Sequence, residues 1–69
     1  MDIAYSDHAK KRMKERGIED WEIEQVIKFP AYIKRRTDGK IEANAEIKNR
    51  LLKIVYVRLQ NYIKVITLF

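Results

Sequence analysis

The chain has 69 residues, of which 46% are hydrophobic and 36% charged, and its formal net charge is +5. This size and composition indicate one water-soluble globular domain over residues 1–69. Because cysteine is absent and there is a single histidine, disulfides and thiol catalysis are excluded, and we expect neither a metal site nor a cofactor.

The positive charge is concentrated in the second part of the chain. Residues 1–30 contain six Lys or Arg and seven Asp or Glu, whereas residues 31–69 contain nine and three. Such a field is typical of nucleic-acid-binding proteins, and a soluble surface with a chance surplus of lysine is the alternative. Since there is no signal-peptide pattern and no apolar run of membrane-spanning length, we expect a cytoplasmic protein without a membrane partner.

Two helices are predicted in the first part of the chain. Ser6 is a good N-cap for a helix over Asp7–Arg16, and Gly17 is a suitable left-handed C-cap. A second helix is predicted to start near Glu19, where acidic residues favour a helix N-terminus, and to stop at Pro30.

From residue 31 onward the apolar period changes to two, which predicts a meander of about four antiparallel strands. Residues 2–5 can add a short edge strand. The sequence Thr-Asp-Gly-Lys at residues 37–40 indicates a hairpin, for which a two-residue turn and a bulged three-residue loop are both considered. We favour the three-residue loop, with Ile33 opposite Ala45, because it keeps Ile33 on the core side.

Two short turns set the predicted register of the remaining strands. A turn at residues 49–50 places Ala45 opposite Ile54, and a turn at residues 60–61 places Ile54 opposite Thr67. The sheet face expected to cover the helices then consists of Ile41, Ala43, Ala45, Ile47, Leu52, Ile54, Tyr56, Ile63, Val65 and Phe69.

The opposite face of this sheet remains largely apolar, and a two-layer domain has no second helix layer to bury it. Such a patch usually marks a partner surface, unless a loop or the N-terminal strand shields it. We therefore predict contact with a protein partner or a second copy of the chain. The partner-binding candidates are Val55, Val57, Tyr62, Ile66 and Leu68.

His8, Arg12 and Arg16 lie at four-residue steps, so they stack along one side of the first helix. RNA cleavage by the ribose 2′-OH needs a base, an acid and cations that face the charged phosphorane. The catalytic candidates are His8 for proton transfer, Arg12 for phosphate and Tyr56 for stacking or proton donation. The nucleic-acid-binding candidates are the basic residues Arg16, Arg50, Lys53, Arg58 and Lys64.

A structural interpretation of the same residues stays open. Arg16 can hold the second helix through an acid such as Glu24, and His8 can satisfy a backbone carbonyl.

Residues 6–18 also carry a family resemblance, through the pattern Ser-x-His-Ala-x-x-Arg-Met-x-x-Arg-Gly-Ile. Together with the acidic second helix and the strands around residues 52–56 and 65–67, it resembles a small prokaryotic family of uncharacterised domains. That family is related to the BrnT toxins and, more distantly, to the RelE/ParE toxins. The resemblance implies a RelE-like α+β fold, with an antiparallel sheet backing two helices, and a cognate antitoxin.

Taken with the residues above, the resemblance implies three candidate functions. The first is a toxin of a toxin–antitoxin system, acting as a metal-independent ribonuclease that inhibits translation. The second is a non-catalytic member of the same fold that binds nucleic acid or protein, because fold does not establish chemistry. The third is a gyrase-inhibiting toxin, which acts by protein binding and needs no acid–base pair.

Overall fold

A computed structural model of the chain describes residues 2–69 and shows two helices and one five-stranded sheet. The elements are β1 (Ile3–Tyr5), α1 (Asp7–Arg16), α2 (Asp20–Lys28), β2 (Tyr32–Arg35), β3 (Ile41–Ile47), β4 (Arg50–Arg58) and β5 (Ile63–Leu68). The helices pack on one face of the sheet, called here the inner face, and the other is the outer face. Within this part of the chain no helix has the length and apolarity needed to span a membrane.

The α+β class is confirmed, but the sheet is mixed rather than a four-stranded antiparallel meander. The strand order is β1-β5-β4-β3-β2, and β1 pairs with β5 in parallel, with Ile3 opposite Ile63 and Tyr5 opposite Val65. The short edge strand expected at residues 2–5 is therefore present. Whether β1 runs parallel or antiparallel to β5 depends on the path that the chain takes through the two helices back to the sheet. The sequence of a three-residue strand does not determine that path.

Both helices begin and end where their capping residues predict. The Ser6 hydroxyl accepts a hydrogen bond from the Ala9 N–H at 3.0 Å, and Gly17 ends α1 in the left-handed conformation, at φ 64°. Glu19 is the N-cap of α2, and its own N–H donates to Glu22 Oε2 at 2.9 Å. Through this bond the Glu22 side chain of the capping box pairs with a backbone group that the start of a helix otherwise leaves unpaired.

The β3–β4 turn lies one residue earlier than predicted. Lys48 and Asn49 have φ of 54° and 65°, which is the geometry of a two-residue turn that fits the twist of antiparallel strands. Ala45 therefore lies opposite Leu52 rather than Ile54. Because the shift moves each pair by two residues, every side chain keeps its predicted face.

The β2–β3 hairpin has the predicted three-residue loop. The Arg36 N–H donates to the Lys40 carbonyl at 2.9 Å across residues 37–39, and Gly39 provides the required left-handed residue at φ 84°. Ile33 pairs with Ala43 instead of Ala45, again a shift of two that leaves Ile33 on the inner face.

A bulge in β5 changes the faces of its last residues. The turn at residues 60–61 is confirmed, but beyond Tyr56 the register shifts and Ile54 lies opposite Leu68 rather than Thr67. The predictions for Leu68 and Phe69 were consequently wrong. Leu68 is fully buried in the core, while Phe69 lies on the outer face and is 45% exposed. An extra residue in one strand reverses the side-chain alternation that follows it.

Ser6 fixes this bulge to the start of α1. Its hydroxyl donates to the Ile66 carbonyl at 2.6 Å, and its N–H donates to the Val65 carbonyl at 3.0 Å. The same hydroxyl caps the helix, so one side chain joins the beginning of α1 to the irregular part of β5. This joint determines how α1 lies relative to the end of the sheet.

Candidate functional site

An exposed aromatic ring with two cations beside it lies where β5 ends. The guanidinium carbon of Arg12 is 5.4 Å from the centroid of the Phe69 ring, and the Lys53 ammonium is 5.9 Å from it. Both distances fall within the range of cation–π attraction. We call Arg12, Lys53 and Phe69 the Phe69 site.

The sheet topology brings these three residues together from distant parts of the sequence. The pairing of β1 ends at Tyr5 opposite Val65, so the last residues of β5 have no strand beside them, and α1 packs against β5. Lys53 reaches the ring from β4, because its backbone pairs with Phe69 through hydrogen bonds of 2.9 and 3.2 Å.

The cations of this site differ in how far they are neutralised. The Lys53 ammonium lies 3.6 Å from Glu42 Oε1, so part of its charge is compensated. Among residues 2–69, Arg12 has no salt bridge, and neither have the exposed cations of α1, which are Lys10, Lys11, Lys14 and Arg16. The positive surface next to Phe69 therefore consists of Arg12 and Lys53, with Arg16 one turn further along α1, because Lys10 and Lys14 lie on the opposite side of the helix.

His8 and Arg16 extend this surface along the helix. Both are exposed, and they lie one turn before and one turn after Arg12 on the same side of α1. The ion pair between Arg16 and Glu24 that the structural interpretation offered is not formed; Glu24 binds Lys28 instead, at 3.0 Å. The structure thus leaves His8, Arg12 and Arg16 available to a ligand.

Comparison with known protein families matches residues 5–69 to DUF4258, a domain of unknown function. The chain belongs to the DUF4258 family. No curated protein and no solved structure matches it. Membership agrees with the resemblance of residues 6–18 to a family of uncharacterised domains, whereas the relation to BrnT and RelE/ParE stays a prediction.

In this DUF4258 domain Arg50 has a structural role that its sequence position did not suggest. Its guanidinium donates to the carbonyls of Arg16 and Gly17 at 2.9 and 3.2 Å, and to Glu22 Oε1 at 3.3 Å. These bonds hold the connection between the two helices against β4. A guanidinium engaged in this way is poorly placed to bind phosphate, in contrast to our prediction for Arg50.

Glu22 is the buried partner of this arrangement, with no exposed surface. The Glu19 N–H and, to a smaller degree, Arg50 hold the pKa of Glu22 below its usual value, against the opposing effect of burial. The carboxylate therefore stays ionised and holds α2 to the sheet. Sequence reasoning assigned Glu22 only to the acidic first turn, because nothing in the spacing shows which of several acids is buried.

Tyr56 does not lie with His8 at the surface. It is 2% exposed and belongs to the core cluster on the inner face, so a role in stacking on a base is not supported by its position. Arg58, Lys64 and Tyr62 are exposed, but they lie towards the β4–β5 turn, at the opposite end of the sheet from Phe69. Of the predicted nucleic-acid-binding residues, only Arg16 and Lys53 are near Arg12.

The outer face is less apolar than its sequence pattern indicated. Val55 is 2% exposed between its cross-strand neighbours Glu42 and Thr67, and Val57 and Ile66 are half-buried. Neighbouring side chains on the same face provide this cover, since long polar residues shield a small residue on a central strand. With Leu68 in the core, the predicted partner-binding residues do not form one continuous exposed patch.

Tyr5, which lies just before α1, has a strongly raised pKa. Burial, with the negative charges of Asp20 and Glu24, raises the pKa of Tyr5 to about 12. The phenol is therefore protonated at neutral pH and can donate but not serve as a base. Within residues 2–69 there is no cluster of three His, Cys, Asp or Glu that could hold a metal ion.

Proposed function

We propose that this DUF4258 domain binds single-stranded RNA through the Phe69 site. The observation that carries the proposal is the exposed Phe69 ring with Arg12 and Lys53 within 6 Å of its centroid. Bases of single-stranded RNA stack on aromatic rings, and adjacent cations attract the phosphates on either side. An aromatic ring within a positive surface provides both kinds of contact.

The surroundings of the site support a path for the strand. His8 and Arg16 continue the exposed side of α1 on either side of Arg12, and neither takes part in a salt bridge within residues 2–69. A flexible strand can follow this row with successive phosphates, whereas a rigid duplex offers no unstacked base to Phe69. Single-stranded RNA is therefore the better fit.

Substitutions at the Phe69 site should separate the contribution of base stacking to RNA affinity from the contribution of charge. In fluorescence anisotropy with an unstructured labelled RNA, Phe69→Ala should weaken binding about tenfold, since one stacked base contributes roughly 1–3 kcal/mol. The slope of log affinity against log salt should stay as in the wild type. Arg12→Ala should instead make this slope shallower by about 0.7 for each phosphate that the variant no longer neutralises.

Tyr62→Ala is the matched control, because Tyr62 is an aromatic residue of similar exposure at the other end of the sheet. It should bind RNA like the wild type. Equal weakening by Tyr62→Ala and Phe69→Ala, or unchanged binding by Phe69→Ala, would exclude the Phe69 site as the RNA contact.

RNA cleavage is a second candidate function, supported by the exposure of His8 one helical turn from Arg12. Attack of the 2′-oxygen on phosphorus breaks the bond to the 5′-oxygen and leaves a 2′,3′-cyclic phosphate and a 5′-hydroxyl. One proton leaves the 2′-OH and one reaches the 5′-oxygen. His8 can transfer one of them, and Arg12 can bear the charge that develops on the phosphorane.

His8→Gln should therefore abolish the cyclic-phosphate product and keep RNA affinity, while Phe69→Ala should lower both. If the wild type leaves bound RNA intact, the domain is a binding module. Cleavage together with growth arrest on expression would support the predicted toxin function that the BrnT resemblance implies.

A further inference from the structure

The edge strand β2 is exposed along its whole length. All four residues of Tyr32–Arg35 are exposed, and Ile33 is 48% exposed although it lies on the inner face. The helix layer ends before this strand, because α2 packs on β3 and β4, and α1 on β5 and β1. β2 consequently presents a free edge and two uncovered faces, and its short length and the charges of Lys34 and Arg35 disfavour pairing with an uncharged or basic strand.

The free edge offers backbone hydrogen-bonding groups at two positions. In an antiparallel ladder, residues that bond to the neighbouring strand alternate with residues that do not. The Arg36 N–H donates to the Lys40 carbonyl across the hairpin. Because the alternation has a period of two, the N–H and C=O groups of Lys34 and Tyr32 also point towards β3. The N–H and C=O groups of Ile33 and Arg35 therefore point away from the sheet.

Two side chains of this edge, Lys34 and Arg35, carry positive charges that no neighbouring acid compensates within residues 2–69. Arg36 binds Asp38 at 3.2 Å and lies 3.8 Å from Glu42, but Lys34 and Arg35 have no salt bridge within residues 2–69. Because adjacent strand residues point to opposite faces, Lys34 lies on the outer face and Arg35 on the inner face. A strand added to this edge meets one cation on each face.

We propose that β2 binds an extended acidic segment of a protein partner, which adds to the sheet as a sixth strand. Its backbone pairs with Ile33 and Arg35, two adjacent acidic residues face Lys34 and Arg35, and apolar neighbours pack on Tyr32 and Ile33. Edge-strand addition obtains affinity from main-chain hydrogen bonds and specificity from alternate side chains.

A second copy of the chain fits this edge less well. Two-fold pairing centred on Lys34 or on Arg35 sets like charges directly opposite each other, which is destabilising. Pairing centred on Ile33 needs the Ala31 N–H, which already donates to the Asn44 carbonyl at 2.7 Å. The charge of the edge therefore favours an acidic partner over self-association.

The test uses the full chain, isotopically labelled, and a short capped peptide with a central Glu-Glu pair flanked by Val and Thr. On addition of peptide, amide hydrogen exchange at Ile33 and Arg35 should slow, while Tyr32 and Lys34 should change little because their N–H groups already face β3. A peptide with Lys-Lys in place of Glu-Glu should not bind.

Two variants and two modified peptides make the result specific. Ile33→Pro removes the outward N–H together with the Ile33 side chain and should weaken binding at least tenfold, and Arg35→Glu should weaken it about tenfold. The matched control Lys11→Glu, on the solvent side of α1, should bind normally. Two peptides that are N-methylated at alternating sets of amides should differ in affinity. Methylation of the amides that face β2 should prevent binding, whereas methylation of the other amides should not.

Several outcomes would overturn the proposal. One is absence of binding by the acidic peptide. Another is binding that neither Ile33→Pro nor either N-methylation pattern affects, which would indicate charge attraction without strand pairing. A third is protection of Ile33 and Arg35 that rises with protein concentration without peptide, which would identify a second copy as the occupant.

Discussion

Replacing Glu22 with alanine should lower the free energy of unfolding by about 3 kcal/mol, a large part of the stability of a domain this small. The substitution removes the acceptor of the Glu19 N–H and one partner of the Arg50 guanidinium. The Nε of Arg50 is already buried without a hydrogen-bond partner, so after the substitution its guanidinium keeps only the carbonyls of Arg16 and Gly17 as partners.

Urea unfolding of matched variants measures this effect. Arg50→Lys keeps the charge but not the fork that reaches the Arg16 and Gly17 carbonyls, so it should also destabilise, though less than Glu22→Ala. Glu24→Ala, which removes a surface pair with Lys28, should change stability by less than about 0.5 kcal/mol. A Glu22→Ala variant as stable as Glu24→Ala would show that the buried carboxylate does not hold the helices.

The same carboxylate predicts a pH dependence with a definite sign. Since the pKa of Glu22 is lower in the folded state, the unfolded chain binds its proton first as the pH falls. The stabilisation is complete above the pKa of an unfolded glutamate, about 4.3, and is lost as the pH drops through the lower folded value. Glu22→Gln should make the loss of stability at low pH less steep. Part of that loss should remain, because the pKa of Asp38 is also lower in the folded state.

Much of the fold could be predicted because its signals are local. The caps Ser6 and Gly17 bound α1, the acids at residues 19–22 begin α2, and the alternation at residues 41–47 follows a strand with one buried face. Shifts of two residues at the turns left the inner and outer faces intact, since side-chain alternation has a period of two.

The remaining features depend on contacts between distant residues. The β5 bulge is fixed by Ser6, which lies about sixty positions earlier in the chain, and no local pattern at residues 63–69 indicates it. For the same reason the sequence could not show that Phe69 lies beside Arg12, or that Arg50 is occupied by the α1–α2 connection. It did place His8, Arg12 and Arg16 together on one side of α1, because helical periodicity alone determines which residues share a side.

Alanine substitutions at the adjacent residues Leu68 and Phe69 should differ greatly in their effect on the free energy of unfolding. Leu68→Ala should lower the free energy of unfolding by about 3 kcal/mol, because Leu68 is fully buried beside Ile54 and its removal leaves a cavity. Phe69→Ala should change stability by less than about 1 kcal/mol, since an exposed cation–π contact contributes only roughly 0.5–1 kcal/mol. Denaturant unfolding of the two variants measures both values.

Because of the bulge, which of these two variants loses more stability is a strict test of the register of β5. An unbroken register would direct Phe69 into the core and Leu68 to the outer face, so Phe69→Ala would be the more destabilising change. The same pair bears on function, because Phe69→Ala should keep the fold and weaken RNA binding, whereas Leu68→Ala should keep affinity wherever it remains folded. If stability falls more for Phe69→Ala than for Leu68→Ala, Phe69 is a core residue, and the Phe69 site cannot be the RNA contact.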